Sequence, residues 1–162
     1  MKNILFLFIF FLLASCATIQ NYRNLDQQSG QPLTVSVGGT IFRLSRTSDL
    51  PNVAGKADLF GGKIDRGFAE LKFYGVNDKG EVLLSVAEIN KTSSDTTMDR
   101  YGGRAMVQVQ TNVAVGTSSG DVGTRFSFDT KKQKDLVIAG IRVIFLDLQQ
   151  YSVTYRLEDT QR

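Results

Sequence analysis

Apolar and polar residues alternate with a period of two in a succession of short segments between residues 33 and 157. Residues 33–37, 68–74 and 151–157 alternate in this way, and glycine-rich or polar turns separate the segments. Because successive side chains of a strand point to opposite faces, this alternation is typical of strands with one buried face. No amphipathic helical pattern accompanies it, which predicts an all-β fold, an antiparallel β-sandwich or small barrel. We expect residues 33–158 to form a single domain, followed by a polar tail at 159–162.

Two hairpins are predicted from neighbouring segments that are joined by turn residues. The first pairs residues 33–37 with residues 40–46 through Gly38-Gly39, a dipeptide that favours a tight turn. The second lies within residues 68–89, where two strands of matching length flank a polar turn. In its first strand Ala69, Leu71 and Phe73 share one face, and Glu70, Lys72 and Tyr74 share the other.

The C-terminal half is predicted to supply further strands. Residues 104–115 form the longest alternating segment, and residues 122–129 form a shorter one. Residues 136–148 are almost continuously apolar, so a helix competes with a strand there. Their β-branched content favours a strand buried on both faces, with a break at Gly140. Residues 151–157 alternate strictly and complete the predicted sheet.

Residues 47–67 form a long irregular segment that is rich in both glycine and apolar side chains. Ordered loops of this length are uncommon and are often functional. One interpretation is that the segment folds over an open end of the sheet and covers the core. The other is a binding role, for which the candidate interaction residues are Leu50, Pro51, Asn52, Leu59 and Phe60.

The chain begins with a short apolar segment that has the organisation of a secretory signal. Lys2 supplies a positive charge, and the apolar run at residues 4–13 is followed by Ala14 and Ser15. A run of ten apolar residues is too short for a permanent membrane helix, which takes about 20. We therefore expect residues 1–15 to be a cleaved signal peptide.

The segment Leu13-Ala14-Ser15-Cys16 resembles the lipobox of bacterial lipoproteins at all four positions. The resemblance implies that Cys16 receives a diacylglyceryl group, that cleavage precedes it, and that the new amine is acylated. Residues 16–32 would then be a lipidated cysteine and a flexible tether, whose residues 17–32 could reach about 50 Å when extended. The alternative is a plain secretory signal with a free thiol.

The resemblance also implies a location. In lipoproteins of Gram-negative bacteria an Asp directly after the lipidated cysteine commonly favours retention at the inner membrane. Here that position is Ala17. The expected location is therefore the cell envelope, with the N-terminal lipid in the outer membrane.

Composition removes most kinds of chemistry from the mature chain. There is no histidine, and the only cysteine is Cys16, so neither a Ser/His/Asp nor a Cys/His arrangement is available. The balance of 19 Lys+Arg against 16 Asp+Glu argues against a nucleic-acid footprint. We considered carboxylates for paired acid/base chemistry or calcium binding, and interpret them as solvated charges: Asp49, Asp58, Asp65, Glu70 and Glu88. We expect no catalytic residues, no metal and no cofactor.

Taken together, these features predict a membrane-anchored envelope lipoprotein that is not an enzyme. Its β domain is expected to act as a binding, accessory or scaffold module for an envelope protein partner. The alternative is a carrier for a small apolar ligand or lipid inside the β domain, since phenylalanine and tyrosine residues are numerous enough to line a pocket.

Overall fold

The computed structural model describes residues 18–58, 60–93, 96–102, 107–111 and 123–161. The predicted signal peptide, its cleavage residues Leu13, Ala14 and Ser15, the lipidation site Cys16, and Leu59 all lie outside the described residues. Within the described residues, no helix has the length and apolar character needed to cross a membrane.

The described chain folds into two antiparallel β-sheets and a short helix, as the alternating pattern predicts. The first sheet has the strand order β1-β3-β4-β5-β6, with β7 also paired to β5, and the second has the order β2-β10-β9-β8. The elements are β1 (Asn21–Leu25), β2 (Pro32–Ser36), β3 (Thr40–Asp49), β4 (Lys63–Val76), β5 (Val82–Ser93), α1 (Thr97–Gly102), β6 (Val107–Thr111), β7 (Thr124–Phe128), β8 (Asp135–Ile138), β9 (Ile141–Gln149) and β10 (Ser152–Asp159).

Two compact units share these elements. The larger contains Arg23–Ser45, Gly67–Asn90 and the described residues from Gln110 onward, and it includes the β-sandwich core. The smaller contains the described chain up to Tyr22, together with Arg46–Arg66 and the described part of Lys91–Val109. Among the described residues of this unit, the buried apolar side chains are those of Leu50, Ala57 and Ile64.

The core of the larger unit is built from the inward faces of both sheets. On β4, Ala69, Leu71 and Phe73 are buried while their neighbours are half-buried, which confirms the predicted alternation. The second sheet contributes the same pattern from Val153 to Leu157 on β10. The full cluster comprises Ile41, Phe42, Leu44, Ala69, Leu71, Phe73, Val82, Leu84, Ile141, Val143, Phe145, Val153, Tyr155 and Leu157. Two facing sheets around one core make this fold a β-sandwich.

The hairpin predicted within residues 68–89 is confirmed. Strands β4 and β5 pair antiparallel, with Leu71 opposite Val86 and Phe73 opposite Leu84. Asn77 organises the connecting turn, because its Oδ1 accepts hydrogen bonds from the N–H groups of Lys79 at 3.0 Å and Glu81 at 2.9 Å.

The hairpin predicted around Gly38-Gly39 is wrong. The turn exists, since the Gly39 N–H donates to the Ser36 carbonyl at 2.9 Å and Gly38 has a φ of 83°. However, β2 pairs with β10 in the second sheet while β3 lies in the first. The turn therefore carries the chain from one sheet to the other, and Gly38 and Gly39 bond to Phe73 of β4. A tight turn signal specifies a reversal of the chain but does not specify that the flanking strands pair.

The prediction that the apolar segment 136–148 is one strand buried on both faces is also wrong. The segment forms a hairpin of β8 and β9, in which Ile138 pairs with Ile141. The break at Gly140 is confirmed: Ala139 and Gly140 have φ values of 51° and 77°, as a two-residue turn between twisted strands requires. On β9 the burial alternates, and Leu146 is exposed on the outer face.

The segment assigned to the flexible tether contains strand β1. Residues 21–25 pair with β3 at the edge of the first sheet, and Leu25 packs against the core. The predicted strand at 104–115 contains β6 (Val107–Thr111), and its flanking residues lie outside the described residues. The polar segment after β5 contains the short helix α1, which was not predicted.

Candidate functional site

The candidate interaction residues lie in a connection between β3 and β4, residues 50–62, which we call the β3–β4 loop. The structure separates them by burial. Leu50 is buried, with 1% of its surface exposed, whereas Phe60 is 78% exposed. Pro51 and Asn52 are half-buried. The two sequence interpretations therefore apply to different residues, because Leu50 fills the interior of its unit while Phe60 is presented to solvent.

Asn52 holds the first half of the β3–β4 loop in one conformation. Its Oδ1 accepts hydrogen bonds from the N–H groups of Ala54 at 2.9 Å and Lys56 at 3.1 Å. Its own N–H donates to the Lys56 carbonyl at 2.7 Å, and Pro51 forms a β-bridge with Ala57. A short polar side chain that bonds to the backbone two residues later is the ordinary device for such turns.

Asp58 closes the second half of the loop. Its N–H donates to the Leu50 carbonyl at 2.8 Å, and its Oδ2 accepts a hydrogen bond from the Gly62 N–H at 3.2 Å. The Leu50 N–H in turn donates to the Gly62 carbonyl at 2.8 Å. Gly62 is required here because a Cβ at that position would stand 2.9 Å from the Leu50 side chain. Both halves of the loop are thus fixed by hydrogen bonds rather than left as a flexible connection.

Helix α1 is attached to the same loop. The Thr97 N–H donates to the Pro51 carbonyl at 2.9 Å. Thr96 and Asp99 form a capping box: Asp99 Oδ2 accepts from the Thr96 N–H at 3.0 Å, and the Asp99 N–H points to Thr96 Oγ1 at 3.4 Å. Met98 follows the attached residue and is 68% exposed.

Exposed apolar side chains are the main chemical feature of the smaller unit. Phe60 and Met98 are exposed, and Val53 at the first turn of the loop is 77% exposed as well. The exposure of Val53 and Met98 could not be predicted from the sequence, because an apolar side chain in an irregular segment carries no periodicity that assigns it to the inside or the outside.

A cluster of polar side chains joins the two ends of the β3–β4 loop to the start of the described chain. Asp49 precedes the loop and Lys63 follows it, and these two residues form a salt bridge. Asp49 Oδ2 also accepts hydrogen bonds from the Gln20 N–H at 2.9 Å and the Tyr22 hydroxyl at 3.4 Å. The Lys63 ammonium lies 3.6 Å from the centre of the Tyr22 ring, a cation–π contact. We call Gln20, Tyr22, Asp49 and Lys63 the N-terminal clamp.

The electrostatics of the N-terminal clamp keep it charged over a wide pH range. The hydrogen bond from Lys63, followed by that from the Gln20 N–H, holds the pKa of Asp49 below its ordinary value of 3.8. The hydrogen bond to Asp49 raises the pKa of Lys63 above 10.5. A lowered carboxyl pKa contributes stability that is present above pH 3.8 and lost as the pH falls through the lower folded-state value. The raised Lys63 pKa contributes stability that is fully present below pH 10.5 and lost above it.

Four of the carboxylates considered for catalysis or calcium bond to cations or to backbone N–H groups. Asp65 is 2.5 Å from the Lys91 ammonium, and Glu70 lies 3.6 Å from Arg43 and 3.7 Å from Lys72. Among the residues that the structure describes, no group of three or more His, Cys, Asp or Glu side chains is placed to hold a metal ion. Asp49 and Asp58 instead bond within the N-terminal clamp and the β3–β4 loop.

An open cavity of about 390 Å³ lies in the larger unit where β7 pairs with the first half of β5. Its lining is mainly apolar, with one cation: Tyr74, Leu83, Leu84, Arg125, Phe126 and Ser127. The Arg125 guanidinium stacks 4.3 Å from the centre of the Tyr74 ring. The cavity therefore combines apolar walls with a positive group.

Comparisons of the chain with protein-family models, with curated proteins and with solved structures found no match. The function must therefore be argued from the chain's own residues.

Proposed function

We propose that this chain is a lipid-anchored protein of a bacterial envelope, and that its β domain is a non-catalytic module that binds a protein partner. The N-terminal lipid on Cys16 holds it at the membrane, at the outer membrane where the host has one. The binding surface is the β3–β4 loop with the adjoining Met98. Neither a cofactor nor a nucleic acid takes part.

The observation that carries the binding proposal is the presentation of Phe60 and Val53 on a loop that hydrogen bonds hold in one conformation. Aromatic residues and methionine are enriched at protein interfaces. A loop that is already ordered loses little conformational entropy on binding, which favours affinity. These are the properties of a binding surface.

The lipid anchor is tested by Cys16→Ser. We expect the variant to keep its signal peptide, to lack acyl groups and to be absent from the outer-membrane fraction, because serine offers no thiol to the lipid transferase. Ser15→Ala is the matched control, since it keeps a small residue before the cysteine and should be processed normally. Mass spectrometry of the N-terminus and membrane fractionation measure both. Equal processing and membrane association of Cys16→Ser would refute the anchor.

The binding surface is tested by the double substitution Val53→Ser and Phe60→Ser. We expect it to reduce chemical crosslinking to the partner in intact cells by at least about tenfold, since a single buried interface hot spot contributes 2 kcal/mol or more. Val137→Ser removes an exposed apolar side chain from the larger unit and should leave crosslinking unchanged. Equal loss in both variants would contradict the assignment of the loop.

The cavity beside β7 supports a second candidate, a carrier for an apolar ligand with an anionic head group. Its volume of about 390 Å³ is within the range of small-molecule sites. Arg125 would meet the anion, and Tyr74 and Leu83 the apolar chain. Binding of a fluorescent fatty acid to the purified β domain tests this function. Leu83→Asp should abolish that binding, because it places a charge in the apolar wall of the cavity. Protein binding through the β3–β4 loop predicts no such effect.

A further inference from the structure

The N-terminal clamp fixes the chain at Gln20, which is close in sequence to the proposed lipidation site. The Gln20 N–H donates to Asp49 Oδ2 at 2.9 Å, and its carbonyl accepts from the Asp49 N–H at 3.0 Å. Two residues later, the Tyr22 ring lies under the Lys63 ammonium. The predicted tether therefore reaches a fixed residue at Gln20 rather than at residue 32.

This position shortens the reach of the anchor. Gln20 lies four residues after Cys16, and four residue-to-residue steps span at most about 14 Å when fully extended. The polar layer of a bilayer is about 5–7 Å thick on each side. A lipid on Cys16 would thus hold Gln20 within a short distance of the bilayer surface, instead of the roughly 50 Å that a 16-residue tether would allow.

The β3–β4 loop starts and ends at the same clamp. Asp49 directly precedes Leu50, and Lys63 directly follows Gly62, so both ends of the loop are tied to the anchored segment. The Leu50–Gly62 hydrogen bond at 2.8 Å draws these ends together. The base of the loop is therefore held close to the segment that the lipid would anchor.

The charge of the loop distinguishes between two kinds of contact. A face that binds anionic lipid is typically rich in Lys and Arg. The loop instead carries one lysine, Lys56, and one aspartate, Asp58, and so has no net charge. Exposed apolar side chains on an ordered and electrically neutral loop are better suited to a protein surface than to lipid head groups.

We propose that the β3–β4 loop binds a protein embedded in the same membrane that holds the lipid anchor. This inference rests on the proposed lipidation and protein binding, and it adds the class of partner. The short anchor acts as an affinity device, because it keeps the loop at a high local concentration near membrane proteins. A partner free in the periplasm would gain nothing from so short a tether.

The experiment compares three versions of the full-length chain in cells, each with a photo-crosslinking p-benzoylphenylalanine in place of Phe60. The first has the native tether. The second carries about 16 additional Gly and Ser residues between Ala17 and Thr18, which form a flexible coil. The third carries the same insertion in the exposed turn between Lys131 and Lys132, which leaves the anchor unchanged. Lengthening the free tether about fivefold should lower the local concentration about tenfold.

We expect a crosslinked partner that, in cells that were not irradiated, resists extraction by alkaline carbonate. The crosslinking yield should be about tenfold lower for the long tether and unchanged for the control insertion. The inference is overturned by a yield that does not depend on tether length, by a partner that is extracted from the membranes of non-irradiated cells, by crosslinks to lipid alone, or by no product at all. An N-terminus without lipid in the mass spectrum would refute the proposed function itself. Normal lipidation with tether-independent crosslinking would refute only this inference.

Discussion

At the scale of single residues, Tyr155 shows how one side chain links the two sheets of the sandwich. It lies on β10 with 2% of its surface exposed, and its hydroxyl donates to the Ile41 carbonyl on β3 at 2.7 Å. Burial raises the pKa of Tyr155 to about 12, because the phenolate would lose its hydration. The hydroxyl is thus neutral and bonded at all physiological pH values.

Replacing Tyr155 by Phe should lower the free energy of unfolding by about 1 kcal/mol at pH 7, since one buried hydrogen bond is lost. The raised pKa means that the tyrosine's contribution is full below pH 10 and declines as the pH rises toward 12. At pH 11 the wild type should have lost roughly 1.4 kcal/mol through this group, so the difference from the variant should disappear. Urea denaturation of the wild type and the variant at pH 7 and at pH 11 measures this difference in the free energy of unfolding. Tyr151→Phe, at an exposed site, is the control and should change little; a difference that grows with pH would contradict the assignment.

The residues of the candidate site were only partly predictable. The sequence indicated that the β3–β4 loop is apolar and ordered, but it gave no reason to place Leu50 inside and Phe60 outside. The N-terminal clamp was missed altogether, because Tyr22 and Asp49 are 27 residues apart and neither belongs to a recognisable motif. Such contacts depend on which strands become neighbours, and that is decided by the whole fold.

At the scale of elements, the β3–β4 loop is ordered by side chain to backbone hydrogen bonds, and Asn52 provides those of its first turn. We predict that Asn52→Ala speeds amide hydrogen exchange at Ala54 and Lys56 by about fivefold each, the equivalent of roughly 1 kcal/mol per hydrogen bond. Asn52→Asp is the matched variant, because its carboxylate keeps the acceptor for both N–H groups and should preserve their protection. Equal exchange in the two variants would show that the loop is held by other contacts.

The β4–β5 hairpin was predicted correctly and the pairing of β2 was not, because only the first depends on local sequence. The hairpin of β4 and β5 follows from two alternating segments and the Asn77 turn, all of which are local. The separation of β2 from β3 is not local, since β2 pairs with β10 through contacts such as Val35 opposite Val153. Alternation specifies which face of a strand is buried, but it does not specify the neighbouring strand.

At the scale of the whole molecule, strand β1 makes part of the predicted tether a component of the fold. We predict that the free energy of unfolding of a soluble form starting at Gln28 is about 2 kcal/mol lower than that of a form starting at Ala17. The truncation removes Leu25 from the core margin and breaks the Arg23–Asp159 ion pair, whose atoms are 3.5 Å apart. A form starting at Gln20 is the control and should match the longer chain. Equal stability of all three would mean that residues 20–27 are a tether after all.

The sequence by itself determined the class of fold, the strands of the central hairpin, the alternating burial of β10 and the lack of histidine chemistry. All of these follow from local periodicity or composition. Only the tertiary structure decided that Gly38-Gly39 joins two sheets, that residues 21–25 belong to the sandwich, and that Asp49 bonds to Gln20 and Lys63. These features depend on pairings between distant segments, because side-chain period and turn residues carry no information about which distant backbone a strand will meet.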